Sequence, residues 1–155
     1  MKEHKTRRRA GYRFPDDYLP YLLARASHVV LREFHRLLRP RRMRVAEWRV
    51  LATLSAGGTY TVGALARAAL LEQPTLSKLL DRLERRGLVR RLADGMDLRQ
   101  SRIELTARGR RRIRPAVAQA RRRERRLLGA FRATEVRALR RLLRLFTERL
   151  EAGRS

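Results

Sequence analysis

Glu72 to Arg91, reading EQPTLSKLLDRLERRGLVRR, restricts the fold more than any other stretch of the chain. Leu76, Leu79, Leu80 and Leu83 recur at i, i+3, i+4 and i+7, which places them on one stripe of an α-helix. At about 100° per residue, Pro74, Lys78, Asp81 and Arg85 turn to the opposite side, with Thr75, Ser77 and Arg82 on the flanks. Pro74 suits a first turn, where its missing N–H costs nothing. Glu72 or Gln73 is placed to cap that turn, and Gly87 suits the left-handed position just past a helix end. Leu88 to Leu92 then has the character of a short strand. The spacing predicts a helix with a leucine underside and an outer face of amide, hydroxyls, one lysine and arginines. Such a face can meet base edges and phosphates together. An ordinary amphipathic surface helix carries the same pattern, so the flanking segments decide between the two.

Upstream, Val45 to Ser55 has helical periodicity, with Trp48, Leu51, Ala52 and Leu54 inward, and Gly57-Gly58 ends it. Thr59-Tyr60-Thr61 is short and β-prone. Thr61 is placed to cap a helix from Val62 to Ala69 that buries Leu65 and Ala66, and Leu70-Leu71 forms a brief turn into the next helix. Helix, short turn, helix is a helix-turn-helix pattern. Downstream, Asp94-Gly95 is a turn signal and Arg102 to Thr106 alternates as a returning strand. The resulting hairpin carries Asp97 and Arg99 near its tip. A helix-turn-helix followed by a β-hairpin is a winged helix.

The outer segments are helical too. Asp16 or Asp17 can cap a first helix whose stripe runs Leu19, Leu22, Leu23, Ala26, Val30, Phe34, Leu37, Leu38, and Pro40 should end it at Arg39. The stripe widens to include Val29 and Leu31, as expected of a helix with more than one neighbour. Thr106 is placed to cap a long helix to about Ala130, with a kink expected at Pro115. Thr134 is placed to cap a last helix with a heptad-like seam of Val136, Leu139, Leu142, Leu143, Phe146 and Leu150. The fold class expected is mainly α with a small β-hairpin wing, a winged helix-turn-helix plus a helical dimerisation region. The expected division is a basic flexible tail over 1–15, a helical dimerisation region over 16–40 and 107–151, and a winged helix-turn-helix DNA-binding domain over 41–106.

Charge narrows the partner. Lys+Arg number 40 against 15 Asp+Glu, a formal +25 with a pI near 11.9, which calls for a polyanion, nucleic acid ahead of an anionic membrane. The absence of cysteine excludes disulfides, thiolate metal sites and thiol switches. No apolar run approaches the ~20 residues of a membrane span, so a cytoplasmic, nucleoid-associated protein with no membrane partner is expected. No phosphate-binding glycine loop, nucleophile motif or metal cluster stands out, so neither enzyme activity nor a cofactor or metal is expected. His28 and His35, seven apart, are interface residues on this reading rather than metal ligands.

Certain motifs carry a resemblance: Ala46-Glu47-Trp48-Arg49-Val50-Leu51, Leu71-Glu72-Gln73-Pro74-Thr75-Leu76-Ser77, Leu83-Glu84-Arg85-Arg86-Gly87-Leu88-Val89 and Leu105-Thr106-Ala107-Arg108-Gly109. In their order and spacing, from about Tyr21 to Leu150, the chain resembles the MarR family of bacterial transcriptional regulators. The resemblance implies a homodimer on a pseudo-palindromic operator of double-stranded DNA, with the recognition helix in the major groove and the wing in the minor groove. By position it assigns DNA contacts to Gln73, Pro74, Thr75, Ser77, Lys78 and Arg82. In the wing, Arg99 is left to enter the minor groove and Asp97 to brace it. Met96 stands where the family's wing carries its first arginine, and Arg102 is placed to compensate. Asp81 would repel phosphate unless an arginine, for example from the wing, pairs with it. The resemblance further implies a repressor released by a small aromatic or phenolic anion, controlling aromatic catabolism or a stress response. His28, Arg32, Trp48 and Arg49 are the ligand residues it suggests, an arginine holding the carboxylate. The competing reading is a low-specificity, nucleoid-type architectural DNA-binding protein, which the excess charge favours and the amide and hydroxyl face of the recognition helix disfavours.

Overall fold

The computed structural model of the chain describes residues 12–94 and 97–153, and it is built mainly of helices with one small antiparallel sheet. It divides into two compact units, Met1–Arg42 and Met43–Ser155.

In the first unit, α1 spans Leu19–Leu38, followed by a 3-10 turn at Arg39–Arg41. Neither Asp16 nor Asp17 caps α1, in contrast to the sequence expectation. Tyr18 is the N-cap without a side-chain bond, and the Asp17 carboxylate instead accepts the Arg13 N–H at 2.7 Å, closing a turn one step earlier. Pro20 lies in the first turn of α1, and Pro40 opens the 3-10 turn, as their fixed φ and missing donor allow. Leu19, Leu22, Val29 and Val30 are exposed along α1. Residues 1–11 of the expected basic tail lie outside the described residues.

In the second unit, α2 spans Val45–Ser55, β1 Tyr60–Thr61, α3 Val62–Ala69, α4 Gln73–Arg85, β2 Val89–Asp94, β3 Asp97–Leu105, α5 Ala107–Leu128 and α6 Ala133–Ala152. The sheet order is β1-β3-β2, both pairings antiparallel. The β-prone Tyr60-Thr61 therefore adds a third strand to the expected hairpin, pairing with Ile103 and Arg102. The core gathers Val50, Leu51 and Leu54 of α2, Leu65 of α3, the α4 leucines, Leu88, Val89, Ile103, Leu105 and Ile113, all buried. Val50 replaces Trp48 as the inward residue of that α2 turn; Trp48 is half-buried.

Local chemistry sets the element ends. The Thr61 hydroxyl accepts the Ala64 N–H at 3.2 Å, and the Thr106 hydroxyl accepts the Gly109 N–H at 3.0 Å, so both expected caps form. Thr106 does more than cap. Its hydroxyl donates to the Gly87 carbonyl at 2.7 Å, fastening the start of α5 to the turn that ends α4. Thr106→Ala should therefore cost about 1–2 kcal/mol, lowering the melting midpoint by about 3–6 °C, whereas Thr106→Ser retains both bonds. Equal midpoints for Thr106→Ala and the parent in thermal unfolding would refute this role. The last helix departs from expectation: it begins at Ala133, and Glu135 accepts the Arg132 N–H at 2.7 Å where Thr134 was expected to cap. Helix α5 runs through Pro115 as one element. It buries Gly109, Ile113 and Ala116 in its first half, while α6 buries no residue and leaves Leu139, Leu142, Leu143, Phe146 and Leu150 exposed.

Candidate nucleic-acid interface

Helix α4 begins at a backbone cap. Glu72 is extended, makes no side-chain cap bond, and offers its carbonyl to the Leu76 N–H at 2.9 Å, with Pro74 in the first turn. Leu76, Leu79, Leu80 and Leu83 are all buried, so the expected underside forms and the opposite face is turned outward. The helix ends in a Schellman arrangement. The Leu88 N–H reaches the Leu83 carbonyl at 2.9 Å, the Gly87 N–H reaches Glu84 at 2.7 Å, and Gly87 adopts φ +65°. Leu88 and Leu83 are both buried at this end, the apolar contact that accompanies the motif.

The turn into α4 is made the same way without a glycine. The Leu71 N–H bonds the Ala66 carbonyl at 2.9 Å, and Leu70 takes φ +54°. A left-handed Leu costs roughly 1–2 kcal/mol, and no glycine or asparagine in the sequence signals the position. Arg49 of α2 reaches this turn, its Nη1 donating to the Leu70 carbonyl at 3.5 Å. At the other end of α4, the Arg86 guanidinium lies 3.0 Å from the buried Glu47 carboxylate, also on α2. Helix α2 thus holds the recognition helix near both ends.

Of the residues expected to contact DNA, Gln73, Pro74, Thr75, Lys78 and Arg82 are exposed on one face of α4, and Ser77 is half-buried at its flank. Among the described residues neither the Lys78 nor the Arg82 side chain has a hydrogen-bond or ion-pair partner. Asp97 and Arg99 fall in β3, and Met96 lies outside the described residues, as do the side chains of Asp97 and Arg99. Asp81 is paired with a wing arginine as expected: Arg91 of β2 lies 2.6 Å from its Oδ1. Across the hairpin, Arg90 stands opposite Glu104 and pairs with it. Of the residues suggested for a ligand, His28 and Arg32 are exposed on α1 in the first unit, while Trp48 and Arg49 are half-buried on α2 in the second. Among the described residues no group of three or more His, Asp or Glu could hold a metal, and no helix is long and apolar enough to cross a membrane.

A three-stranded sheet with a helix-turn-helix whose second helix presents a polar, cationic face defines a winged-helix DNA-binding protein. Residues 43–100 match the model of the MarR family. A solved MarR family transcriptional regulator from Silicibacter pomeroyi DSS-3 is 37% identical, with a TM-score of 0.78, the match covering 90% of this chain and 99% of that one. The chain belongs to the MarR family of transcriptional regulators. The Homoprotocatechuate degradative operon repressor of Escherichia coli is 28% identical over 130 residues, 84% of this chain and 88% of that protein. NadR in complex with 4-hydroxyphenylacetate is 26% identical with a TM-score of 0.76, covering 81% of this chain and 89% of that one. The HTH-type transcriptional regulator FarR of Neisseria gonorrhoeae is 32% identical over 87 residues, 56% of this chain, and the match spans only 60% of that protein.

Proposed function

We propose that this transcriptional regulator is a homodimeric, operator-specific repressor that a small aromatic or phenolic anion releases from DNA. The observation that carries the reading is the outer face of α4. Gln73, Pro74, Thr75, Lys78 and Arg82 are exposed together over a buried leucine stripe, and neither cation's side chain is paired with another described residue. An amide and hydroxyls bring no net charge to attract the backbone from a distance, and they can read base edges. In the wing, Arg99 enters the minor groove with Asp97 bracing it. Residues 41–106 form the DNA-binding domain, and 16–40 with 107–151 form the dimerisation region. The exposed apolar seam of α6 and the exposed apolar residues of α1 support a second copy as their cover.

For the effector, the Homoprotocatechuate degradative operon repressor and the complex of NadR with 4-hydroxyphenylacetate support an aromatic acid. His28, Arg32, Trp48 and Arg49 are the residues assigned to it, an arginine taking the carboxylate and Trp48 the ring. The name of the Homoprotocatechuate degradative operon repressor also supports control of an aromatic catabolic operon as the role of this chain.

Selection of bound fragments from random-sequence DNA at ~150 mM salt, where phosphate binding is weakened, tests the reading. A single inverted repeat is expected. On that operator, Gln73→Ala should reduce discrimination at one base pair by ~1–3 kcal/mol. Lys78→Ala should weaken operator binding as well, by an amount that depends on whether it meets a base or a phosphate. The specific reading is lost if both variants bind every DNA as the parent does. A second reading, an architectural protein coating DNA with little preference, draws on the formal charge of +25. It is right if DNA is retained and no motif emerges.

A further inference from the structure

Arg91 makes contacts that pairing with Asp81 alone does not explain. Its Nη2 lies 2.6 Å from Asp81 Oδ1 and its Nε 3.6 Å from Glu84 Oε2. Its backbone N–H also donates to Glu84 Oε1 at 3.2 Å. Asp81 and Glu84 are three apart on α4, so they share a face one turn apart. β2 is an edge strand of the sheet, and Glu84 takes an amide donor from that edge. One wing residue is thus held by two carboxylates of the recognition helix, through both its side chain and its main chain. Its neighbour Arg90 faces the other way and pairs with Glu104 of β3, so the tie extends into the rest of the wing.

We propose that Arg91, Asp81 and Glu84 are positioning residues that set DNA specificity, fixing the wing against the recognition helix. Major-groove and minor-groove contacts then fall at one set spacing along the duplex. The proposal rests on the reading of α4 as the DNA-contacting helix. The side chains are 39%, 57% and 40% exposed, and exposed ion pairs add little to stability, so rigidity is their main effect. The geometry is directional, since Asp81 accepts a hydrogen bond from the side chain and Glu84 accepts one from the main chain, with the Glu84 ion pair to the guanidinium beside them. A hinge between wing and helix would let each find its own groove on many sequences, and the clasp removes that freedom.

Simple electrostatics and positioning predict opposite outcomes for removal of the two carboxylates. Asp81→Asn with Glu84→Ala deletes two negative charges near phosphate and frees Arg91, so random DNA should bind more tightly in either case. On electrostatics alone the operator gains at least as much. Under the positioning role, the ratio of operator to random-DNA affinity falls about tenfold, and hydroxyl-radical protection at the flanking minor groove fades while the major-groove footprint stays. An unchanged or higher ratio overturns the proposal. In the free protein, hydrogen exchange at the Arg91 amide should quicken in the same double variant while α2 amides keep their protection. Unchanged exchange at Arg91 overturns the clasp whatever the DNA results. Failure to select any operator defeats the reading of α4, and the specificity role with it, while exchange still decides whether wing and helix are joined.

Discussion

Gly109→Ala should lower the melting midpoint by on the order of 10 °C. A Cβ at this position would lie 2.1 Å from the Leu88 carbonyl oxygen, 2.7 Å from Leu105 Cδ1 and 3.0 Å from the Leu88 carbonyl carbon. No rotamer relieves a clash made by Cβ itself, and two of the three atoms are backbone. The first turn of α5 must back away from the end of α4, which breaks the Thr106 bond to the Gly87 carbonyl and opens the core at Leu88 and Leu105. Overpacking of this kind costs roughly 3 kcal/mol, and about 2–4 °C accompanies each kcal/mol in a chain of this size. Gly129→Ala is the control, because its added Cβ would come no closer than 3.4 Å to any atom. Calorimetry or circular dichroism reads the result. A Gly109→Ala protein that melts with the parent would mean that α5 does not lie this close to Leu88.

Arg86→Ala should be nearly as damaging, for a different reason. Glu47 is only 6% exposed, and its Oε2 accepts from Arg86 at 3.0 Å while Oε1 has no hydrogen-bond partner. Deleting the guanidinium leaves a buried carboxylate with neither charge partner nor donor. Loss of one member of a fully buried pair costs ~3–5 kcal/mol. Arg86 is 45% exposed and water can follow its removal, so about 2–3 kcal/mol is expected. The double variant Glu47→Leu with Arg86→Ala should be more stable than Arg86→Ala alone, because the cost lies in the orphaned charge. Urea unfolding of the three proteins decides this. If the double variant is the weakest of them, Glu47 stabilises the chain through contacts other than Arg86.

Signals in the sequence are legible where the physics is local. The leucine stripe of α4, the caps Thr61 and Thr106, and Gly87 past the end of α4 each depend on neighbours within a turn or two, and all appear as expected. The winged helix followed because those local elements come in order. Competing local donors and acceptors were less legible. Asp17 had a choice between the first amides of α1 and the Arg13 amide, and Glu135 outcompeted Thr134 at the start of α6. The left-handed Leu70 carries no residue-type signal, since two hydrogen bonds across the turn and the burial of Ala66 and Ala69 at the end of α3 impose the conformation.

Contacts made over long separations were visible only in part. The charge of Asp81 on a helix expected to face DNA points to an arginine partner, for example from the wing, and Arg91 supplies it. Glu84 as a second acceptor for the same residue, and the pairing of Glu47 with Arg86 39 residues away, needed the folded chain. Glu47 had a signal that could have been used: a carboxylate between the inward-facing positions of α2 must be buried with a cation or exposed, and the apolar residues around it favour burial.

The sheet has a further consequence for how the chain can assemble. One edge is β1, only two residues long. The other is β2, where Glu84 occupies the Arg91 amide and a bulge at Ala93/Asp94 disturbs the register toward the tip. Short edges, blocked donors and bulges are the features by which natural sheets resist adding a foreign strand. Growth of this sheet into an intermolecular ladder is disfavoured at both sides, which guards the folded chain against strand-mediated aggregation.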